Sequence, residues 1–284
     1  MEVNQKLISN QYGLRSRRSC LSQLLNHQDQ ILSILGEGYN VDSIYLDFSK
    51  AFDKVDIGIL CHKLKSMGIG GRLGILLHNF LTSRKQVILA NGVKSQSSLV
   101  KSGVPQGTVL GPVLFLILIN DIDADIDSIV SLFADDTRIA RRIKEEKEKL
   151  YNWQEQNNME FNGSKFELLR YGSNQLVKEN TTYFTPHYED IIGEKENLRD
   201  LGIIMSSDCS FSSHVEAVCW KVRKKSGWIM RTFFSRKTHI MKFLWKTLVQ
   251  GYIDYCSQLY FPTKAADMEK NRKFTKNLHK NIPP

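Results

Sequence analysis

Residues 131–137, SLFADDT, constrain this chain more than any other stretch: an apolar run breaks into two adjacent carboxylates, Asp135 and Asp136. Val130, Leu132 and Phe133 read as a short strand, and Ile139 and Ala140 as the start of a returning one. Aspartates are turn formers, so the expectation is a hairpin with the Asp-Asp pair at its tip. Adjacent like charges repel, and a divalent cation relieves them. Magnesium takes oxygen ligands and is held by one or two carboxylates plus substrate phosphates. Two such ions about 4 Å apart clamp the attacking and leaving oxygens of an in-line phosphoryl transfer. Taken alone the pair reads as a solvated turn, so the rest of the chain has to raise it above that.

A further carboxylate stands in a comparable place. Residues 43–48, SIYLDF, are a short apolar run with Asp47 embedded near its end. A carboxylate in a buried strand is costly unless it is paired or bound to metal. A turn over residues 49–55 then leads into a helical pattern in which Leu60, Leu64 and Met67 share a face, and residues 73–81 read as a second short helix. Residues 86–89 and 98–101 read as strands around an Asn91-Gly92 turn. Residues 102–122, SGVPQGTVLGPVLFLILINDI, open with Gly103, Pro105 and Gly107 and run into an apolar helix ending near Asn120. Such a loop lets a ligand approach the backbone closely, or serves as a tight structural turn.

Upstream, residues 19–35 carry leucines and isoleucines at helical spacing, preceded by QYGLRSRRS with Arg15, Arg17 and Arg18. That basic loop is either solvated or a triphosphate clamp, since guanidinium groups match phosphate oxygens bidentately. Downstream, residues 138–150 read as a charged, solvated helix continuing through Trp153 to Phe161. Residues 166–169 read as a strand, 172–197 as a polar linker or excursion, and 198–205 as one last strand. Residues 214–260 are helical by spacing, broken around Phe234-Ser235, and no acid occurs between Glu216 and Asp254. There Lys221, Arg223, Lys224, Lys225 and Arg231 interleave with Trp220 and Trp228. Basic groups neutralise phosphates while aromatics stack on bases, or the aromatics are core and the lysines their solvated opposite face. The net charge of +9 favours a polyanionic partner. Five scattered cysteines without a CxxC pair, and no apolar run long enough for a bilayer, lead to the expectation of a soluble intracellular chain.

Asp47, the Gly/Pro/Gln loop and the Asp135-Asp136 hairpin occur in a fixed order that resembles the reverse transcriptases of non-long-terminal-repeat retrotransposons, of the long interspersed, jockey-like type. IYLDFSKAFDKV resembles the family's first catalytic motif, SGVPQGTVLGPVLFLILIND its second and SLFADDT its third. QYGLRSRRSCLSQLL resembles the fingers segment, MEFNGSKFELLRYG the lysine-bearing segment, and LRDLGIIM the strand leading to the thumb. The resemblance implies an α+β right-hand polymerase. Its parts would be an antiparallel palm sheet packed on helices, partial fingers, and a helical thumb-like C-terminal region.

The same resemblance implies the site. Asp47 and Asp135 would ligate two Mg2+ ions, for which Mn2+ can stand in, with the Phe48 carbonyl helping and Asp136 completing the acidic cluster. Phe52 falls where the family's steric gate against a ribose 2′-hydroxyl lies. Gln106 with Gly107 would pack under the incoming nucleotide, Arg15 would grip its triphosphate, and Lys165 would donate a proton to departing pyrophosphate. Partners would be an RNA template, a DNA primer and deoxynucleoside triphosphates, with primer and template gripped by Lys221, Arg223, Lys224, Lys225 and Arg231. Residues 1–172 are expected to be partial fingers and palm, 173–197 the linker or excursion, and 198–284 the thumb-like region. Leu14 stands where phenylalanine is usual, and the chain starts almost at QYGLRS, so an N-terminally truncated domain is expected. Two outcomes follow: an RNA-directed DNA polymerase, or an inert relic that at most binds RNA.

Overall fold

The structure, a computed structural model, describes residues 6–124, 126, 128–140, 152–172, 182–185 and 191–260. The chain divides into two compact units, Met1–Leu168 with Ser173–Glu194 and Leu169–Gly172 with Lys195–Pro284.

The first unit is built on three antiparallel strands: β1 (Val41–Leu46), β6 (Ile129–Phe133) and β7 (Asp136–Ala140), with β7 in the middle. Side chains alternate across a sheet, so the register sorts them onto two faces. Ile44, Ile139 and Val130 align on one face and join a dry core with Leu46 and Leu132. Helices α2 (Ile57–Ser66), α3 (Gly71–Thr82) and α4 (Leu110–Leu118) supply much of the rest of that core. Helix α4 is apolar almost all round, and Leu114 to Leu118 are buried without exception. A helix with no polar stripe is stable only when enclosed.

The other face is mixed, with the polar Ser43, Ser131 and Arg138 buried in it. Tyr45, Arg138 and Ser131 align across the three strands there. Helix α1 (Cys20–Gly36) covers them, started by a capping box between Ser19 and Ser22. Arg138 Nη2 donates to Gln23 Oε1 at 2.7 Å, its guanidinium lies 5.9 Å from the Tyr45 ring centre, and Ser131 Oγ is 3.5 Å from His27 Nδ1. Arg138 is 1% exposed, so it is not part of a solvated helix: it belongs to β7, and the rest of that expected helix, residues 141–150, lies outside the described residues.

Between α3 and α4 the expected pair of longer strands is instead two short ladders. Strand β2 (Lys85–Gln86) pairs with β5 (Ser98–Leu99), and β3 (Leu89–Ala90) with β4 (Val93–Lys94) around Asn91-Gly92. Ser95 interrupts them, because its hydroxyl takes the Ile88 N–H that a longer ladder would use. Within the stretch read as a linker, Tyr183 and Ile192 join the dry core, and the Tyr183 hydroxyl donates to Asp42 at 2.8 Å.

The second unit opens with a hairpin rather than one strand. Strands β8 (Asn197–Asp200) and β9 (Ile203–Ser206) pair antiparallel, because Leu201 and Gly202 take positive φ and reverse the chain. After them come β-free helices α5 (Ser212–Thr232) and α6 (Thr238–Leu248), with the break at 233–237 close to where spacing predicts it. Val215, Cys219, Val222 and Ile229 bury one face of α5, and His214 Nδ1 accepts the Ile204 N–H at 3.2 Å. Among the described residues no helix is long and apolar enough to cross a membrane.

Candidate active site

The acids converge at one end of the β1–β7 ladder. Leu46, the last residue of β1, pairs with Thr137, so one step further along the same register lie Asp47 and Asp136. Asp136 pairs across the hairpin with Phe133, which makes Ala134-Asp135 the two-residue tip. The expected Asp-Asp tip is therefore displaced by one residue. Ala134 takes the left-handed conformation (φ +55°) that a tight hairpin needs, and Asp136 is already the first residue of β7. Asp135 is half-buried, whereas Asp136 reaches solvent. On the other side of Asp47, its carbonyl accepts the Asn162 N–H at 2.7 Å and the Ser49 N–H donates to the Glu160 carbonyl at 2.7 Å. These two bonds flank the Phe48–Phe161 bridge and leave the Phe48 carbonyl outside the ladder. The Phe48 ring, 3% exposed, stacks on Phe161 at 4.5 Å and fixes this end of the strand.

A lysine shares the field of the three acids. Lys165, from the 3-10 turn Gly163–Lys165, donates its Nζ to Asp47 Oδ2 as an ion pair. Burial, and then the nearby Asp47 charge, hold the Asp135 carboxyl above the usual range, against the pull of its own backbone and of Lys165. The crowded sheet end desolvates Asp136 although its surface is open, and the Asp135 charge adds to that, so it too is raised; Arg138 pulls it back. Lys165 is pushed up by its hydrogen bond to Asp47 and by the Asp47 charge. Mutual repulsion among hard oxygen donors is the chemistry that suits a hard divalent cation. Among the described residues, however, no three His, Cys, Asp or Glu side chains are assembled to hold a metal ion. The Lys165 ammonium places a positive charge beside the acids.

A second group of predicted residues is brought together beside the turn after β1. Phe52 stacks on Phe115 of α4 at 4.6 Å, and its carbonyl accepts the Val104 N–H at 2.8 Å. Gln106 Nε2 donates to Asp53 Oδ1 at 2.9 Å, and Ser102 Oγ to the Asp53 carbonyl at 2.9 Å. Gly103 makes this docking feasible: a Cβ there would sit 2.8 Å from the Asp53 carbonyl oxygen and 2.9 Å from that of Phe52. Gly107 lies in the open, with nothing within 4 Å of its would-be Cβ. Arg84 braces the loop from behind through the carbonyls of Ser102 and Gly103.

Arg15, expected to grip a triphosphate, is held here by backbone carbonyls. Its Nη1 donates to the Ile8 and Gln11 carbonyls, within a segment that docks on the acid hairpin. Sequence reasoning missed that docking and the two residues that produce it, Gln11 and Gly13. Gln11, 2% exposed, bridges in parallel to Leu132, and its side chain bonds the hairpin tip. The only signal was the Q-x-G spacing ahead of Leu14.

In the second unit, 100° per residue separates the faces of α5. Trp220, Lys224, Trp228 and Arg231 fall opposite the buried Val215, Cys219, Val222 and Ile229, with the half-buried Lys221 and Lys225 on the flank. Lys224 Nζ lies 4.8 Å above the Trp220 ring and Lys225 Nζ 4.4 Å above that of Trp228. Arg223 is also exposed, at the edge of this face. The tryptophans are 59% and 41% exposed, so they are surface rings and not the core of the unit.

Comparison with known proteins agrees with this geometry. The family model for reverse transcriptase (RNA-dependent DNA polymerase) matches residues 1–205. The RNA-directed DNA polymerase from mobile element jockey of Drosophila funebris is 22% identical, over 99% of this chain and 32% of that protein. The probable RNA-directed DNA polymerase from transposon X-element of Drosophila melanogaster is 26% identical, over 79% of this chain and 26% of that protein. The chain thus spans a third or less of the length of these relatives. Among solved structures, telomerase from Candida albicans in complex with a TWJ fragment of telomeric RNA aligns with a TM-score of 0.50 at 11% identity. That alignment covers 96% of this chain and 49% of the telomerase chain. At that identity the likeness concerns the fold, which is α+β with right-hand polymerase architecture.

Proposed function

We propose that this chain, which belongs to the reverse transcriptase (RNA-dependent DNA polymerase) family, is the RNA-directed DNA polymerase domain of a retrotransposon. The observation that carries the reading is the convergence of Asp47, just after β1, with Asp135 and Asp136 on the neighbouring hairpin, in one shared field with Lys165. Members of the family use divalent metal ions. Here Asp47, Asp135 and the Phe48 carbonyl would hold two Mg2+, which when bound would neutralise phosphate charge and activate the attacking hydroxyl.

The chain's own residues do the rest. Asp136 keeps the cluster anionic from the solvent side, and Lys165 balances it until substrate enters. A primer 3′-hydroxyl then attacks the α-phosphate of a deoxynucleoside triphosphate, and catalysis is positioning plus charge compensation. Lys165 has to leave Asp47 for pyrophosphate before it can give up a proton, because its present partner raises its pKa and makes it a weaker acid. Phe52, held against Phe115, would bar a ribose 2′-hydroxyl, while Gln106 and Gly107 would face the nucleotide from the docked loop. Arg15 joins them only by releasing the Ile8 and Gln11 carbonyls. The exposed α5 face would hold template and primer through phosphate contacts from Lys221, Arg223, Lys224, Lys225 and Arg231.

The test is primer extension on poly(rA)/oligo(dT) with Mg2+, beside an Asp135→Ala, Asp136→Ala control. Incorporation that the control abolishes is the expected result. The Lys165–Asp47 ion pair, which holds one of the three acids, favours a second reading: an inert relic that at most binds RNA. Salt-sensitive RNA binding without incorporation would select that one.

A further inference from the structure

We propose that Gln11, assisted by Gly13, is a positioning residue: its side-chain amide splints the tip of the acid hairpin and sets the direction of Asp135. The inference rests on the polymerase reading above for what that direction is used for, but not for the splint itself.

A two-residue hairpin tip leaves its central peptide groups facing outward, where water would satisfy them. Here one side chain satisfies both. Gln11 Oε1 accepts the Ala134 N–H at 2.9 Å, and Gln11 Nε2 donates to the Ala134 carbonyl at 3.2 Å. The first bond fixes the peptide plane between Phe133 and Ala134. The second fixes the plane between Ala134 and Asp135, from which the Asp135 side chain hangs. An amide is the one uncharged side-chain group that donates and accepts side by side, as a paired backbone would. The same Oε1 also accepts the Gly13 N–H at 2.7 Å, so Gln11 is itself held in place.

The backbone around Gln11 brings it there. The Tyr12 N–H donates to the Leu132 carbonyl at 2.8 Å and the Leu132 N–H to the Asn10 carbonyl at 3.0 Å, forming a short parallel pairing with β6. Gly13 then passes so close to the tip that a Cβ would lie 2.2 Å from the Ala134 nitrogen and 2.8 Å from the Phe133 carbonyl carbon. Only glycine allows that approach. Ala134 holds a left-handed conformation that is unfavourable for an L-residue, so without the splint the tip has an incentive to relax, and Asp135 would turn with it.

The experiment compares full-length wild type with Gln11→Met, which keeps the length of the side chain and removes both bonds. Amide hydrogen exchange at Ala134 reports the splint. Mn2+ titration followed by electron paramagnetic resonance reports the acids, with Asp135→Asn as the control. Gln11→Met should speed Ala134 exchange and weaken Mn2+ binding about tenfold, at the low end of losses from removing an outer-shell partner. In primer extension it should lower kcat while leaving the KM for nucleotide and the RNA affinity unchanged, a split that general destabilisation would not give. Unchanged Ala134 exchange or unchanged Mn2+ affinity overturns the proposal. Mn2+ binding that Asp135→Asn does not weaken overturns the metal-site reading instead, so the two failures are distinct. If Gln11→Met does not fold, Gln11→Glu carries the test: it keeps the acceptor, so Ala134 exchange should stay slow, and fast exchange there refutes the splint.

Discussion

Replacing Gly103 by alanine asks how tightly the loop carrying Gln106 is locked to the turn carrying Phe52. Gly103 has φ +82°, a conformation that costs an L-residue about 1–2 kcal/mol. Its Cβ would also meet the Asp53 carbonyl oxygen and Cα and the Phe52 carbonyl oxygen at 2.8–2.9 Å. All three are backbone atoms, so no flexible side-chain end can yield, and forcing a methyl group into such a contact costs about 1–3 kcal/mol more. Gly107→Ala is the matched control. Its φ is +74°, but no heavy atom lies within 4 Å, so it carries the conformational cost alone. In a unit of this size 1 kcal/mol moves Tm by about 2–4 °C. The Tm of Gly103→Ala should therefore fall about 2–12 °C further than that of Gly107→Ala, read by scanning calorimetry. Gly103→Ala should also raise the KM for nucleotide, since relief of the clash moves Gln106 away from Phe52. Equal Tm values for the two variants would refute the locked-loop argument.

Three further outcomes are expected. Lys165→Gln leaves Asp47 without its partner, so Mn2+ affinity at the acids should rise; a fall would mean that the ammonium does not compete with metal. His27 and His214 are held neutral, at about 3 and about 4, chiefly by burial, helped by Arg138 for His27 and by Lys221 and Arg199 for His214. Both values lie below that of an unfolded chain, so this stability is whole above about pH 6.5 and is lost as pH falls through the folded values. Only the unfolded chain takes up those protons, at up to about 1.4 kcal/mol per pH unit for each histidine. Urea midpoints should accordingly be lower at pH 5 than at pH 7, and equal midpoints would show that neither ring is buried neutral. Lys224→Glu with Lys225→Glu should weaken RNA binding and make log K against log salt shallower by about 2, without changing the far-ultraviolet circular dichroism; an unchanged slope removes α5 from the interface.

The strand acids were legible because Asp47 and Asp135 interrupt apolar runs, and an interruption of that kind is visible without knowing any partner. The displacement of the hairpin tip was not, since it depends on Ala134 accepting a positive φ that only its surroundings stabilise. Arg138 was misread for a related reason: its charge fits the solvated pattern after it, and the groups that bury it, Gln23 and Tyr45, lie far back in the chain. Leu201 hid a reversal inside LRDLGIIM, because leucine is not a turn former, and only the Gly202 beside it hinted at one. Tyr183 and Ile192 sit in a polar stretch whose composition describes its surface and not the two side chains it sends inward. Local chemistry was readable; contacts closed across the chain were not.

The pairing of residues 10–12 with Leu132 also imposes an order on synthesis. The side chain of Gln11 and its tip residue Ala134 are 123 positions apart, and β1 likewise waits for β7. Ribosomes add about 5–20 residues per second, so the early segment emerges and stands without its mate for about 6–25 s. Closing so long a loop comes late in folding, after the local helices have formed. The acid hairpin therefore reaches its final shape only when the beginning of the chain returns to it, and a nascent fragment ending before β6 leaves residues 10–12 and β1 open to proteases and to other strands.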